Sequence, residues 1–246
     1  MLILLPPSET KRPGGVGVSI DRSAIIWAAL DDARDLIINK LMELCEDKQA
    51  AAKALKLGAR NLADIDANLE LLTAGTMPAI SRYTGVLFDA LDFESLTEEA
   101  RKRASEQVFI QSALFGLLPA TEQIPYYRLS AGSKLPGVNL KRIWTEAHRA
   151  VWPRMLGEVL DMRSKAYVEL NPVPKDRDSW FVEVLEEKSG KALNHFNKKA
   201  KGAFVRAALT KGLVSISEVE SVAASAGLGA TVSPGKVSLF RQDHVI

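Results

Sequence analysis

The sequence predicts an α+β fold, a single mixed domain over residues 1–246 in which strands and helices are interleaved irregularly. Short apolar runs typical of buried strands are mixed with longer stretches of helical periodicity. Their order is too irregular for a simple doubly wound sheet. No repeat or low-complexity linker divides the 246 residues, and 47% hydrophobic with 25% charged residues are proportions typical of a globular protein with a sizeable core.

The first elements are a buried strand, a glycine-rich loop and a series of helices. Leu2–Leu5 is continuously apolar and ends at Pro6 and Pro7, so we expect a strand covered on both faces. Residues 8–19 form either an ordered loop or a mobile flap. Ser23 can cap a helix that runs to about Cys45. Further helices are predicted over residues 48–57, ending at Gly58, over 61–71, and after Thr97 as a cap.

The second half of the chain alternates between strand and helix signals. The predicted strands are the first half of 108–118, then 167–170, 180–185, 192–196 after a hairpin turn at 188–191, and 237–240. The predicted helices are 144–160 around Pro153, 198–211 ending at Gly212, and a helix capped by Ser217 that ends near Gly227.

Composition limits the classes of function. The net charge is only +2, so an anion-binding surface must come from local clustering. Cys45 is the one cysteine, which excludes an internal disulfide and suits a reducing compartment. The apolar start of the chain is too short for a signal peptide, and no run has membrane-spanning length. We expect a cytoplasmic protein without a membrane partner, and its oligomeric state stays open.

The strongest local signal is a basic stretch. Residues 188–217 contain no Asp or Glu and carry these cations: Lys188, Lys191, Lys198, Lys199, Lys201, Arg206 and Lys211. Four of them, Lys198, Lys199, Lys201 and Arg206, can line one side of the predicted helix. Clustered cations bind phosphates because neutralising the phosphates releases counterions. The alternative is a solvated basic face, and the residues alone leave the two equally open.

Several segments, taken in order, resemble the YaaA family of the bacterial response to hydrogen peroxide. They are residues 1–11 (MLILLPPSETK), 114–118 (LFGLL), 125–129 (PYYRL), 187–191 (EKSGK) and 196–202 (FNKKAKG) with Arg206 one turn later. The sequence departs from the family at Glu9, where many relatives carry lysine, and at Lys201, where arginine is frequent.

The resemblance implies a positively charged cleft and a helix-hairpin-helix element that binds DNA. It also implies a role in limiting free iron, and with it oxidative DNA damage, during peroxide stress. The candidate for the hairpin is residues 53–69 around Gly58, with Lys53, Lys56 and Arg60 as its cations. Because only one glycine is present, a plain helical hairpin is the alternative. Residues 198–226 around Gly212 are a second candidate.

Four further residues are candidate cleft residues. Ser8, Thr10 and Lys11 follow the first strand, a common place for binding groups in sheet proteins, and the family resemblance covers them. Arg128 carries a guanidinium, which can form two parallel hydrogen bonds to a phosphate.

We therefore predict a DNA-binding protein that holds the phosphate backbone, of duplex or distorted duplex, with little sequence preference. The alternative is an enzyme acting on a phosphorylated or nucleic-acid substrate in the same cleft. Ser8, Thr10, Arg128 and Lys198 would then bind phosphate, with Glu9 as the base. Direct iron binding is disfavoured because the sequence scatters its possible soft ligands, His148, His195, His244 and Cys45. We expect no metal or other cofactor.

Overall fold

The computed structural model describes residues 1–21, 25–185 and 194–241. The strands in these ranges are β1 Leu2–Leu5, β2 Gly17–Ser19, β3 Gly75–Pro78, β4 Val108–Ser112, β5 Gly116–Pro119, β6 Gln123–Ile124, β7 Val159–Asp161, β8 Ser179–Leu185, β9 Leu228–Ser233 and β10 Lys236–Arg241. The helices are α1 Asp31–Cys45, α2 Lys48–Ala54, α3 Ala63–Leu69, α4 Ala79–Arg82, α5 Val86–Leu91, α6 Glu98–Gln107, α7 Leu140–Ala147, α8 Lys165–Leu170, α9 Asn194–Lys211 and α10 Val219–Ser225.

A mixed sheet in the order β5-β4-β1-β7-β8-β10-β9 organises the fold. The neighbours from β4 to β10 pair in parallel, and β5 and β9 are antiparallel strands at the two edges. A smaller antiparallel sheet has the order β2-β3-β6. This architecture confirms the predicted α+β class.

The parallel strands follow a recognisable order. The five parallel strands lie side by side in the order β4-β1-β7-β8-β10. Numbered along the chain, these are the second, first, third, fourth and fifth parallel strands. In doubly wound sheets with this order, ligands bind beyond the carboxyl ends of the first and third strands, where the connections turn in opposite directions. Here those strands are β1 and β7. The sequence predicts that the sheet is not a simple doubly wound one, and the antiparallel edge strands agree with this. The parallel pairing of the five central strands was not predicted.

One hydrophobic core holds the sheet and helices together. Ile3, Leu4 and Leu5 of β1 are fully buried at its centre, as expected for a strand covered on both faces. Thr97 caps α6 as predicted, because its side chain accepts a hydrogen bond from the backbone N–H of Ala100. The predicted strands at β1, β4, β8 and β10 are all present.

Several predicted elements are wrong. Residues 167–170 belong to helix α8, because the N–H groups of Tyr167 and Val168 both bond to the carbonyl of Ser164. Residues 144–160 are not one helix. α7 begins at Leu140, capped by the Asn139 side chain, and the chain reaches strand β7 after Gly157, whose φ is +101°.

Two predictions fall partly outside the described residues. The hairpin turn at 188–191 and the cap at Ser23 lie outside the described residues. Residues 194–196 are the first turn of α9, so the predicted return strand is wrong over these positions. In the described part of the first predicted helix, α1 begins only at Asp31. The chain before it is held by the buried Arg34, which donates to the carbonyls of Ile26 and Trp27.

Candidate functional site

A cleft of ≈ 620 Å³ lies beyond the carboxyl ends of β1 and β7. We call it the switch-point cleft. It is lined by Pro6, Pro7, Ser8, Glu9 and Thr10 after β1, by Thr84, Gly85, Val86, Leu87 and Phe88, by Ser130, Ala131 and Gly132, by Ser164, Ala166 and Tyr167 after β7, and by Lys56 and Lys198. Its position is the one that the strand order of the sheet favours for a ligand.

The segment after β1 is held in place by the chain around Thr84. The N–H of Thr84 donates to the carbonyl of Thr10 at 3.2 Å, and the Thr10 hydroxyl donates to the carbonyl of Thr84 at 3.2 Å. The hydroxyl oxygens of Ser8 and Thr10 are 3.1 Å apart. Gly85, with φ +98°, leaves room for them, since a Cβ there would lie 3.2 Å from the Thr10 hydroxyl. Ser8 and Thr10 therefore present two hydroxyls to the cleft.

Arg82 fixes the glycine-rich loop that follows. Its side chain is fully buried, and its guanidinium donates to the carbonyls of Arg12 and Gly14, both at 2.6 Å, and to those of Gly75 and Ile124. The loop over residues 12–15 is thus tied to the small sheet, which supports the ordered-loop alternative over the mobile flap.

Lys11 is buried instead of facing the switch-point cleft. It is 8% exposed, and its Nζ donates to the carbonyls of Ser8 at 3.0 Å and Glu9 at 3.3 Å. The same nitrogen lies 4.4 Å from the centre of the Tyr127 ring. Burial, with a further contribution from the charge of Arg128, lowers the pKa of Lys11 to about 7.

Arg128 lies behind the cleft and is already paired. Its Nη2 is 3.0 Å from a carboxylate oxygen of Glu9, and its Nε is 3.9 Å from a carboxylate oxygen of Asp64. Its backbone is held by Asn68, whose side chain accepts from the Arg128 N–H and donates to its carbonyl. The predicted fork onto a phosphate would first require Arg128 to leave Glu9.

Lys56 and Lys198 bring positive charge to the switch-point cleft from two separate elements. Lys56 follows α2 in a left-handed conformation, with φ +56°, and Lys198 lies in the first part of α9. Both are exposed, and neither has a carboxylate within 4.0 Å among the described residues. Glu9, the acidic residue of the lining, is matched by Arg128, so the cleft carries a local excess of positive charge.

Two other cations of α9, Lys201 and Arg206, are engaged by the protein itself. Lys201 is buried at 6% exposure, where its Nζ donates to the carbonyl of Met162 and lies over the Phe181 ring. Arg206 donates to the carbonyls of Leu91 and Asp92. The expectation that these residues line one basic side of the helix together is therefore wrong for Lys201, whereas Arg206 is partly exposed and already bonded to the end of α5.

The remaining predicted cations are exposed but do not line the cleft. They are Lys53, Arg60 and Lys199. The candidate hairpin is present as two short helices, α2 and α3, joined by a turn that contains Gly58 and a 3-10 helix at Ala59–Asn61. The second candidate, around Gly212 with φ +77°, joins α9 to α10. Whether either hairpin contacts DNA stays a prediction.

Sequence reasoning missed the part of the cleft that follows β7. Ser164 and Tyr167 line it, and the Tyr167 hydroxyl accepts a hydrogen bond from the N–H of Ala131. The available signal was the short apolar run before them at 159–160, followed by polar residues, which is the pattern of a strand that ends at a site. It was overlooked because residues 144–160 were predicted to be helical.

In the described part of the chain, possible metal ligands do not cluster. Within residues 1–21, 25–185 and 194–241, no group of three His, Cys, Asp or Glu side chains could hold a metal ion. His148 is buried, and its Nε2 accepts from the N–H of Leu117 at 3.1 Å while Nδ1 donates to the carbonyl of Trp144 at 2.6 Å.

None of the helices in the described part of the chain has the length and apolar character of a membrane span.

Comparison with known proteins gives a consistent family. The profile described as "Peroxide stress protein YaaA" matches residues 1–229. The chain is 39% identical to a UPF0246 protein of Streptomyces coelicolor over 93% of this chain and 90% of the relative. It is 40% identical to a UPF0246 protein of Corynebacterium glutamicum strain R, over 95% and 96% of the two chains. A UPF0246 protein of Corynebacterium efficiens is 37% identical over 96% and 97%. The chain therefore belongs to the YaaA family of peroxide stress proteins.

Proposed function

We propose that the switch-point cleft binds the phosphate backbone of DNA, with little preference for sequence, as part of the peroxide stress response. The observation that carries the proposal is a pair of lysines, Lys56 and Lys198, that meet no carboxylate among the described residues and share one cleft with the hydroxyls of Ser8 and Thr10. Ammonium groups neutralise phosphate charge, and hydroxyls supply short hydrogen bonds to phosphate oxygens. No base-reading element is needed for such binding.

The proposed role in limiting oxidative DNA damage and free iron follows from this binding. Covering DNA can shield it from damage without any iron site in the protein. We propose an indirect effect on free iron, because His148 is occupied by two backbone hydrogen bonds and Cys45 is buried.

A titration against DNA at several salt concentrations tests the proposal. Duplex, single-stranded and bulged oligonucleotides of mixed sequence are compared at two or more salt concentrations. We expect the logarithm of affinity to fall linearly with the logarithm of salt, by about 0.9 for each phosphate contact in duplex DNA. Equal affinity at low and moderate salt, or binding to none of the oligonucleotides, would refute the proposal.

A second candidate is an enzyme acting on a phosphorylated or nucleic-acid substrate in the same cleft. The favouring observation is its position beyond the carboxyl ends of parallel strands β1 and β7, where such folds place substrates. The Glu9–Arg128 ion pair at 3.0 Å disfavours Glu9 as the base, because its carboxylate is already engaged by a guanidinium. Release of phosphate from nucleotides or oligonucleotides, lost in a Ser8→Ala variant, is the test of this candidate.

A further inference from the structure

A second cavity, of ≈ 540 Å³, lies on the other side of the segment over residues 8–11, and Lys11 lines it. We call it the Lys11 cavity. Its polar side chains are Lys11, Asp64, Glu70 and Tyr126, and the other walls are proline, glycine and alanine. The two sites therefore differ in charge, since Lys56 and Lys198 line the switch-point cleft, whereas two carboxylates share the second cavity with Lys11.

The Lys11 ammonium is poorly compensated for a buried cation. The buried guanidiniums of Arg34 and Arg163 each meet an aspartate, at 2.9 Å and 2.7 Å, and that of Arg82 meets four carbonyls. Lys11 has two carbonyls and a ring face, with no carboxylate within 4.0 Å among the described residues. These acceptors and the ring face stabilise the ammonium, so it is burial without a paired carboxylate among these residues that favours the neutral amine.

The charges around the amine act in both directions. Burial has the largest effect, and together with the positive charges of Arg128 and Arg82 it lowers the pKa of Lys11 to about 7. The carboxylates of Asp64 and Glu9 oppose this. The uncharged rings of Tyr83 and Tyr127 lie against the amine. An exposed lysine has a pKa near 10.4, so the neutral fraction of its amine at pH 7.5 is lower than that of Lys11 by roughly three orders of magnitude.

A neutral amine in a cavity is a nucleophile for carbonyl carbon. With an aldehyde, the Nζ lone pair forms a C–N bond, and the carbonyl oxygen leaves as water with the two hydrogens of the amine. The product is an imine, so no oxidant or other co-reactant is required. The carboxylates of Asp64 and Glu70 accept hydrogen bonds from hydroxyls and repel phosphate. The Tyr126 hydroxyl donates to Asp64 at 2.7 Å, which fixes one of these carboxylates.

We propose that Lys11 forms a Schiff base with the open-chain aldehyde of a sugar that enters the Lys11 cavity. A neutral, hydroxyl-rich aldehyde matches the carboxylate lining, and the cavity has room for a single sugar. If the sugar belongs to DNA, this proposal rests on the proposed function. The Ser8 carbonyl is 3.0 Å from Lys11 Nζ, and Ser8 also lines the switch-point cleft. An abasic site in DNA carries such an aldehyde between two phosphates, and a free sugar is the other source.

Reductive trapping tests the proposal on the full chain. The protein is incubated at pH 7.5 with sodium cyanoborohydride and either 2-deoxyribose or a duplex containing one abasic site, and the modified lysines are identified by peptide mapping. We expect labelling of Lys11 to exceed that of exposed Lys53 and Lys199 by about tenfold or more per site. Lys201 is an internal control, since it is buried and has a lowered pKa, but it lines neither cavity.

Each outcome decides one question. Labelling of Lys11 by deoxyribose alone supports the site with a free sugar as its source. Labelling by the abasic duplex supports DNA as the source, and the salt titration on intact DNA reports separately whether the proposed function fails. Labelling spread evenly over exposed lysines, in both arms, overturns the proposal. A Lys11→Arg variant that keeps the wild-type melting temperature must lose the adduct. If that variant is unfolded, the wild-type map remains decisive.

Discussion

Lys201 on α9 donates a 3.0 Å hydrogen bond to the backbone carbonyl of Met162, the residue that follows β7. Its ammonium also lies 5.4 Å from the centre of the Phe181 ring on β8. A lysine in the most basic segment of the chain thus attaches a helix to the central sheet. The consequence is structural, because this ammonium is not available to a ligand at the surface.

We expect Lys201→Ala to destabilise the fold while Lys198→Ala does not. Removing the ammonium leaves a buried carbonyl without its donor, which costs about 1–3 kcal/mol. Lys198 is exposed and unpaired among the described residues, so its loss should stay within about 0.5 kcal/mol. Denaturant unfolding of both variants is the measurement. Equal stability of the two variants would contradict the buried placement of Lys201.

The double change Lys56→Ala and Lys198→Ala should weaken DNA binding more than the matched change Lys53→Ala and Lys199→Ala. Both pairs remove the same charge from α9 and from the end of α2, but only the first pair lines the switch-point cleft. We expect the first pair to lower the salt slope by about 1.8, the value for two phosphate contacts. A larger loss in the second pair would show that the main DNA contact lies outside the switch-point cleft.

Protonation of His148 should contribute to acid unfolding. Burial lowers the pKa of His148 to about 3, against about 6.5 for an unfolded histidine. Between these values the unfolded state binds more protons, so the free energy of unfolding falls as the pH falls from about 6.5 toward 3. The neutral ring is held by Leu117 and Trp144.

The difference between wild type and His148→Gln isolates this contribution. Unfolding free energies are measured by denaturant at pH 7, 6, 5 and 4 on both proteins. The variant should be less stable at pH 7 and should lose less stability on acidification. Parallel curves for the two proteins would show that His148 is not the responsible group.

Gly85→Ala should damage the switch-point cleft. The backbone there, with φ +98° and ψ 178°, is a conformation that side chains disfavour, and the new Cβ would press on the hydroxyls of Thr10 and Ser8 at 3.2 and 3.4 Å. We expect a stability loss of about 1–3 kcal/mol and weaker DNA binding by the folded protein.

Gly137→Ala is the control for Gly85→Ala. Its φ is +71°, and a Cβ there would meet nothing within 4 Å. It should therefore lose stability without losing DNA affinity. If both variants bind DNA as the wild type does, the hydroxyls around Gly85 are not part of the binding site.

Elements that carry one clear local signal were predicted correctly from the sequence. The buried strand β1 was predicted from a continuous apolar run, and α6 was predicted from the cap at Thr97. β7 is only three residues long, and so short an apolar run is equally compatible with the end of a helix. The order of the parallel strands depends on contacts between distant segments, so the position of the cleft was not predictable.

The prediction that Lys201 lies on a basic side of the helix is wrong for a physical reason. Phe204, Val205 and Ala208 are buried, and they follow Lys201 at three, four and seven positions, the spacing of one helical face. The apolar neighbours on that face were the signal that this lysine points inward. The number of charges in the segment does not show which side of the helix each cation occupies, and Lys201 lies on the buried side.

The switch-point cleft is assembled from segments that are distant in the sequence, from the end of β1 to the beginning of α9. A molecule held there connects the segment after β1 and α8 with α5 and α9, which already pack together. Since a ligand that binds only the native state stabilises it by mass action, occupancy should suppress local opening throughout these segments. We therefore expect the amide protons of α5, α8 and α9 to exchange more slowly, and as a single cooperative unit, when DNA is present.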